Sequence, residues 1–125
     1  MIKSLTAIGV SALLLLGLGL FEWFYVHDQF ASFGEEVLSL YDKAENETAN
    51  VEDARAVFAS WEERKSKLHV WIPHNDIARI DDYLAESVQL IEEREYALAL
   101  ARLEIVLHLS TSVPSTYEPG IENIF

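Results

Sequence analysis

The chain opens on an unbroken apolar run, and beyond it apolar and charged positions alternate at helical spacing. Leu5 to Phe21 is seventeen residues without a charge, and after Glu22 the run resumes as Trp23-Phe24-Tyr25-Val26. At ~1.5 Å per residue, Ile2 to Val26 reaches roughly 37 Å, enough for a ~30 Å hydrocarbon core plus an interface. Trp23 and Tyr25 are residue types favoured at headgroup level. The pattern predicts a membrane anchor over residues 1–26. A cleaved secretory signal is the competing reading, because Met1-Ile2-Lys3 before an apolar stretch also fits one. Its only small-residue cut site is Gly17-Leu18-Gly19, and the apolar run continues past it.

Residues 27–125 read as one helical domain. Phe30, Phe33, Val37, Leu40, Tyr41 and Ala44 form an apolar stripe, and without an intervening proline the anchor is expected to run on as one helix to about Ala44. Asn46 to Asn50 breaks the pattern. A second helix opens with Asn50 as N-cap and Glu52 and Asp53 in its first turn, where the helix dipole favours acids. Ala54, Val57, Phe58, Trp61 and Leu68 make its stripe, with the stem of Lys65 filling the gap. Pro73 ends the following corner, with Asn75 expected to cap a third helix whose stripe is Ile77, Ile80, Leu84, Val88 and Ile91.

A fourth helix covers Tyr96 to Leu109, and ten of the thirteen residues from Ala97 on are apolar. Such a helix is buried on several sides or doubles as a binding surface. Leu98, Ile105 and Leu109, with Ile121, Ile124 and Phe125 of the tail, are the expected partner surface. Pro114 and Pro119-Gly120 are expected to end the helix. The fold class is all-α: an N-terminal transmembrane helix, then a small antiparallel bundle of three to four helices. Helices three and four look like a tetratricopeptide-type hairpin, but one hairpin is not an array.

Charge sharpens this picture. The chain holds nine Lys and Arg against twenty-one Asp and Glu, a net charge of −12. Such a field repels nucleic-acid phosphate and anionic lipid headgroups alike, so binding of either through the domain is not expected and nucleic acid is excluded as a partner. Lys3 precedes the anchor and no further Lys or Arg appears before Lys43, which keeps the amino terminus in the cytoplasm and sends the domain outside. Ala7 and Ser11 form a small-xxx-small pair, a weak helix-pairing signal. Cysteine is absent, which removes disulfides and thiolate metal sites.

Candidate chemistry is sparse. His69, His74, Asp76, Asp81 and Asp82 are the only local cluster of metal-ligand types. His69 and His74 stand five apart across a proline, so one helical face cannot present both, and the metalloprotease spacing is missing. A structural corner formed by Trp71, Pro73, His74 and Asn75, with His69 half-buried and Trp71 in the core, accounts for these residues better than a metal site. Adjacent carboxylates such as Glu35-Glu36 and Asp81-Asp82 diverge by about 100° on a helix and do not face each other. No phosphate loop or nucleophile elbow occurs. Catalytic, cofactor and metal residues are therefore read as none, and the protein is not read as an enzyme.

One resemblance covers nearly the whole chain. The anchor ending in Phe21-Glu22-Trp23-Phe24-Tyr25-Val26, Trp61-Glu62-Glu63 followed by Leu68-His69, Ile72-Pro73-His74-Asn75 and the closing Glu122-Asn123-Ile124-Phe125 resemble the domain-of-unknown-function family 4363. The resemblance implies a membrane-anchored helical protein of endospore-forming bacteria, with no assigned reaction. It also makes the formal glycosylation acceptor Asn46-Glu47-Thr48 irrelevant. The expected function is an extracytoplasmic interaction or structural module held to the membrane by residues 2–26 for another membrane or envelope protein. The alternative is a ligand- or cation-sensing domain using the acidic surface or the His74 corner.

Overall fold

A computed structural model describes residues 1–116, with the side chain of Thr116 left out of the description. Four α-helices follow in order: α1 (Ile2–Glu45), α2 (Val51–Leu68), α3 (His74–Glu92) and α4 (Tyr96–Thr116). Each packs on its neighbours in sequence, and α4 closes the ring by packing on α1 as well as α3. This is an up-down-up-down four-helix bundle.

The two halves of α1 live in different surroundings. Every side chain of residues 1–21 is exposed. From Val26 on, Val26, Phe30, Phe33, Val37, Leu40 and Ala44 form a buried stripe in the bundle core. Val26 is fully buried, so the bundle takes hold one residue before the expected boundary at 27. No loop separates the halves, and α1 runs roughly 66 Å over its 44 residues. Its N-terminal part is apolar and long enough to cross a membrane or act as a signal segment.

Hydrogen bonds within single turns close three of the helix ends. The Asn50 side chain accepts from the Asp53 N–H at 2.8 Å while the Asp53 carboxylate accepts from the Asn50 N–H at 3.1 Å, a reciprocal capping box for α2. At the end of α1, the N–H of Glu47 donates to the Ala44 carbonyl and that of Thr48 to Lys43. At the end of α3, Arg94 donates to Ile91 and Glu95 to Leu90 in the same way. These are two Schellman turns, with Glu47 at φ 58° and Arg94 at φ 60° in the left-handed position that glycine usually fills.

Two expected ends differ. α3 begins at His74 with Pro73 as its cap residue, and Asn75 lies inside the helix. The Pro73 carbonyl accepts from the N–H groups of Asp76 and Ile77, so the preset proline geometry starts the helix without a side-chain cap. At the other end, Pro114 sits inside α4 instead of stopping it. The proline deletes one backbone donor, and the buried side chains of Val113 and Pro114 hold that last turn against the bundle.

The apolar surplus of α4 is absorbed by two neighbours. Ala99, Leu103, Val106, Leu109 and Val113 are buried between α1 and α3. The outward line is Ala97, Ala101, Glu104, His108, Thr111 and Ser115, small or polar at every step. α4 also satisfies the length and composition of a membrane span, with a third of it buried in the bundle. Where α4 packs on α1, Gly34 faces Ser110, and a Cβ at Gly34 would lie 3.2 Å from the Ser110 hydroxyl.

Candidate functional site

The two Schellman turns meet at one end of the bundle, the end remote from the apolar half of α1. Tyr96, first residue of α4, donates its hydroxyl to the Ala49 carbonyl at 2.9 Å and ties the turns together. Between them opens a cleft of about 700 Å³ lined by Glu47, Thr48, Ala49, Asn50, Val51, Ile91, Glu92, Arg94 and Tyr96. Both residues with left-handed backbone line it. A non-glycine residue there costs on the order of 1–2 kcal/mol, and such strain gathers where a side chain is needed for a task. The two positions place one acid and one cation at the lips of the cleft.

Acids dominate the surroundings. Glu45, Glu47, Glu52, Asp53, Glu92, Glu93 and Glu95 stand at this end against Lys43, Arg55 and Arg94. Lys43 pairs with Asp53 at 3.3 Å and Arg55 with Glu92 at 3.6 Å. The Asn50 N–H bond, and after it the bond from Lys43, hold the Asp53 carboxyl below its usual value.

A second polar cluster sits between α1, α2 and α3. Arg64 donates to the Gln29 side chain at 2.8 Å and to Glu36 at 3.2 Å, and Ser60 donates to Glu36 at 2.6 Å. Lys65 bonds Glu62 at 2.9 Å and Asp81 at 3.3 Å, and these acids, Glu62 foremost, raise its pKa. All of these groups are satisfied by each other. The cluster fixes helix register.

The sequence-predicted residues scatter. Leu98 is 54 % exposed, Ile105 is half-buried, and Leu109 is buried in the core, so it cannot serve as contact surface in this fold. The physical reason is that α4 packs on two helices, not one. Ile121, Ile124 and Phe125, with Tyr117 and Pro119-Gly120, lie outside the described residues. Pro73, His74 and Asn75 are exposed, and Trp71 is half-buried against the core. His69 is exposed rather than half-buried, its ring nitrogen Nδ1 2.7 Å from the Ser66 carbonyl. Among the described residues no group of three or more His, Asp or Glu could hold a metal ion. Sequence reading missed the cleft because its cue, a glycine after each helix, is absent at Glu47 and Arg94.

A closed helical bundle continuous with an apolar helix of membrane-crossing length defines the class. The chain belongs to the family described as Domain of unknown function (DUF4363), whose match spans residues 25–124. That match begins where the buried stripe of α1 begins. No curated protein and no solved structure matches the chain.

Proposed function

We propose that this protein is a single-pass membrane module that holds its bundle outside the cytoplasm and presents the far end of that bundle to a partner protein of the membrane or envelope. The observation that carries the reading is the continuity of α1, from exposed apolar residues 1–21 into the core at Val26 without a loop. A flexible tether would only localise the bundle. A continuous helix also fixes its distance and tilt, which suits a spacer or a docking platform. Lys3 on the amino side supports the orientation. The cleft between the two turns, with Glu47 and Arg94 on its rims and exposed Leu98 two residues beyond Tyr96, is the proposed recognition end. Ile121, Ile124 and Phe125 are a separate candidate surface.

Two measurements test this. Cysteines introduced at Ser4 and at Thr48 of this cysteine-free chain should differ on intact cells, with an impermeant maleimide reaching position 48 alone. Labelling at 4 and not at 48 reverses the orientation. Cross-linked partners captured by the native chain should be lost on Glu47→Lys with Arg94→Glu and retained when residues 2–21 are replaced by an unrelated membrane helix. The reverse pattern moves recognition into the bilayer, and loss on polar substitution of Ile121, Ile124 and Phe125 moves it to the tail.

The acidic cleft itself favours a second reading, in which it takes a small cationic ligand. Ligand-dependent rise in melting temperature, abolished by Glu47→Gln with Glu92→Gln and without any captured protein, would select that reading.

A further inference from the structure

We propose that the α2–α3 corner is a second membrane contact, with Val70 and Trp71 resting in the headgroup layer beside the point where α1 leaves the bilayer. The inference rests on the membrane-anchored reading of α1 and adds to it how the bundle is seated.

Exposure singles out the corner. Beyond residue 24, the exposed large hydrophobics among the described residues are Leu38 at 49 %, Val70 at 69 % and Leu98 at 54 %. Val70 is the most exposed of them, and the half-exposed indole of Trp71 follows it. An apolar residue beside a tryptophan suits a bilayer interface, where Trp concentrates.

Register places the corner at the right height. Antiparallel α1 and α2 are pinned together by Lys43 with Asp53, Glu36 with Ser60, and Gln29 with Arg64. Continuing that pairing brings Leu68, the last residue of α2, level with residues 25–28 of α1. The turn that follows is tight, with the N–H groups of Trp71 and Ile72 both donating to the Leu68 carbonyl. Glu22 marks the first charge after the apolar run, and three to six residues along a helix is about 5–9 Å. The headgroup layer on each side of the hydrocarbon is about 5–8 Å deep, so the corner lies within it or at its edge.

Charge agrees with height. Arg64 to Asn75 holds three cations and two histidines and no carboxylate. Lys67 stays 54 % exposed, with one ion pair among the described residues, to Glu63 at 3.9 Å. The acidic cleft lies at the opposite end of the bundle. The acids lining the cleft then stand far from the bilayer, while Asp28 and Asp76 lie near the corner's own level and are offset there by Arg64, Lys65 and Lys67.

The test uses the full-length chain in vesicles of mixed phosphatidylcholine and phosphatidylglycerol, with single cysteines at Val70→Cys, Leu98→Cys or Leu16→Cys carrying a polarity-sensitive fluorophore. Lipids bearing a nitroxide near the headgroup should quench the label at position 70 several-fold more than that at 98, with blue-shifted emission. A label at 70 as wet and unquenched as at 98, with position 16 quenched by acyl-chain nitroxide, overturns the proposal and leaves the anchor intact. Failure to quench at 16 removes the anchor and the proposal together. Blue-shifted emission at 70 that grows with protein density and ignores lipid nitroxide marks contact between two copies instead, and also overturns it. A measurement free of labels is quenching of native tryptophan by brominated lipid: Trp71→Phe should remove part of the quenchable emission, because Trp61 is fully buried. Quenchable emission that is unchanged in absolute amount overturns the contact.

Discussion

The indole N–H of Trp61, fully buried on α2, donates to the Asp81 carboxylate on α3 at 2.6 Å, and Lys65 one turn further along α2 holds the same carboxylate at 3.3 Å. Trp61 also lies against Phe33 and Phe30 of α1, with ring centroids 4.9 and 6.2 Å away. One side chain thus ties three helices, and its polar atom is satisfied only by Asp81. Asp81→Ala should cost about 1–3 kcal/mol by orphaning a buried donor. Trp61→Phe, which removes the donor with it, should make the loss from Asp81→Ala smaller. A double-mutant cycle in chemical denaturation measures the coupling, and additive losses would show that the bond contributes nothing.

The capping box at the start of α2 predicts a pH effect. Asp53 has a lowered pKa in the fold, first from the Asn50 N–H and then from Lys43. Its contribution is complete above the ordinary carboxylate value and is lost as pH falls through the lower, folded one. Asn50→Ala should cost about 1 kcal/mol near neutral pH. Asp53→Asn should cost stability near neutral pH, and its difference from the native chain should shrink to nothing in strong acid. Urea titrations at both pH values check this.

Core and corner should respond in opposite ways. Leu84 and Leu103 are fully buried, so Leu84→Ala and Leu103→Ala should each cost about 2–5 kcal/mol. Exposed His69 and His74, each replaced by alanine, should change stability by no more than about 0.5 kcal/mol. Circular dichroism of the fragment from Tyr25 onward, which keeps the buried Val26, should be helical and unchanged by a chelator. Loss of helicity on chelation would assign the histidines to a metal.

The strained turns predict gains. Glu47→Gly and Arg94→Gly should each stabilise the bundle by roughly 0.5–1 kcal/mol, since glycine adopts the left-handed position without penalty. Loss of partner capture together with higher stability would mark both side chains as retained for recognition. Unchanged capture would make the strain incidental.

At the α1–α4 crossing, Gly34→Ala should gain helix propensity but press on the Ser110 hydroxyl at 3.2 Å. In the Ser110→Ala background the gain should rise toward about 1 kcal/mol. Equal gains in both backgrounds would mean that Ser110 gives way freely.

Much of this fold was legible in the chain. Uncharged residues from Leu5 to Phe21 announced the apolar helix, and the three-four spacing through Ala44 announced its continuation, because period and length need no tertiary partner to be read. Asn50 with Asp53 announced α2 for the same reason, each cap being satisfied within one turn. Tertiary structure decided the rest. The left-handed turns at Glu47 and Arg94 lack glycine and exist because the packed helices on either side dictate the backbone between them. Leu109 went from predicted surface to core because α4 has two neighbours, and a count of apolar residues cannot say how many faces are covered. Pro114 stayed helical, held by burial that outweighs one missing hydrogen bond. The cleft is made by residues far apart in sequence, and only antiparallel register brings Leu68 level with the end of the apolar half of α1.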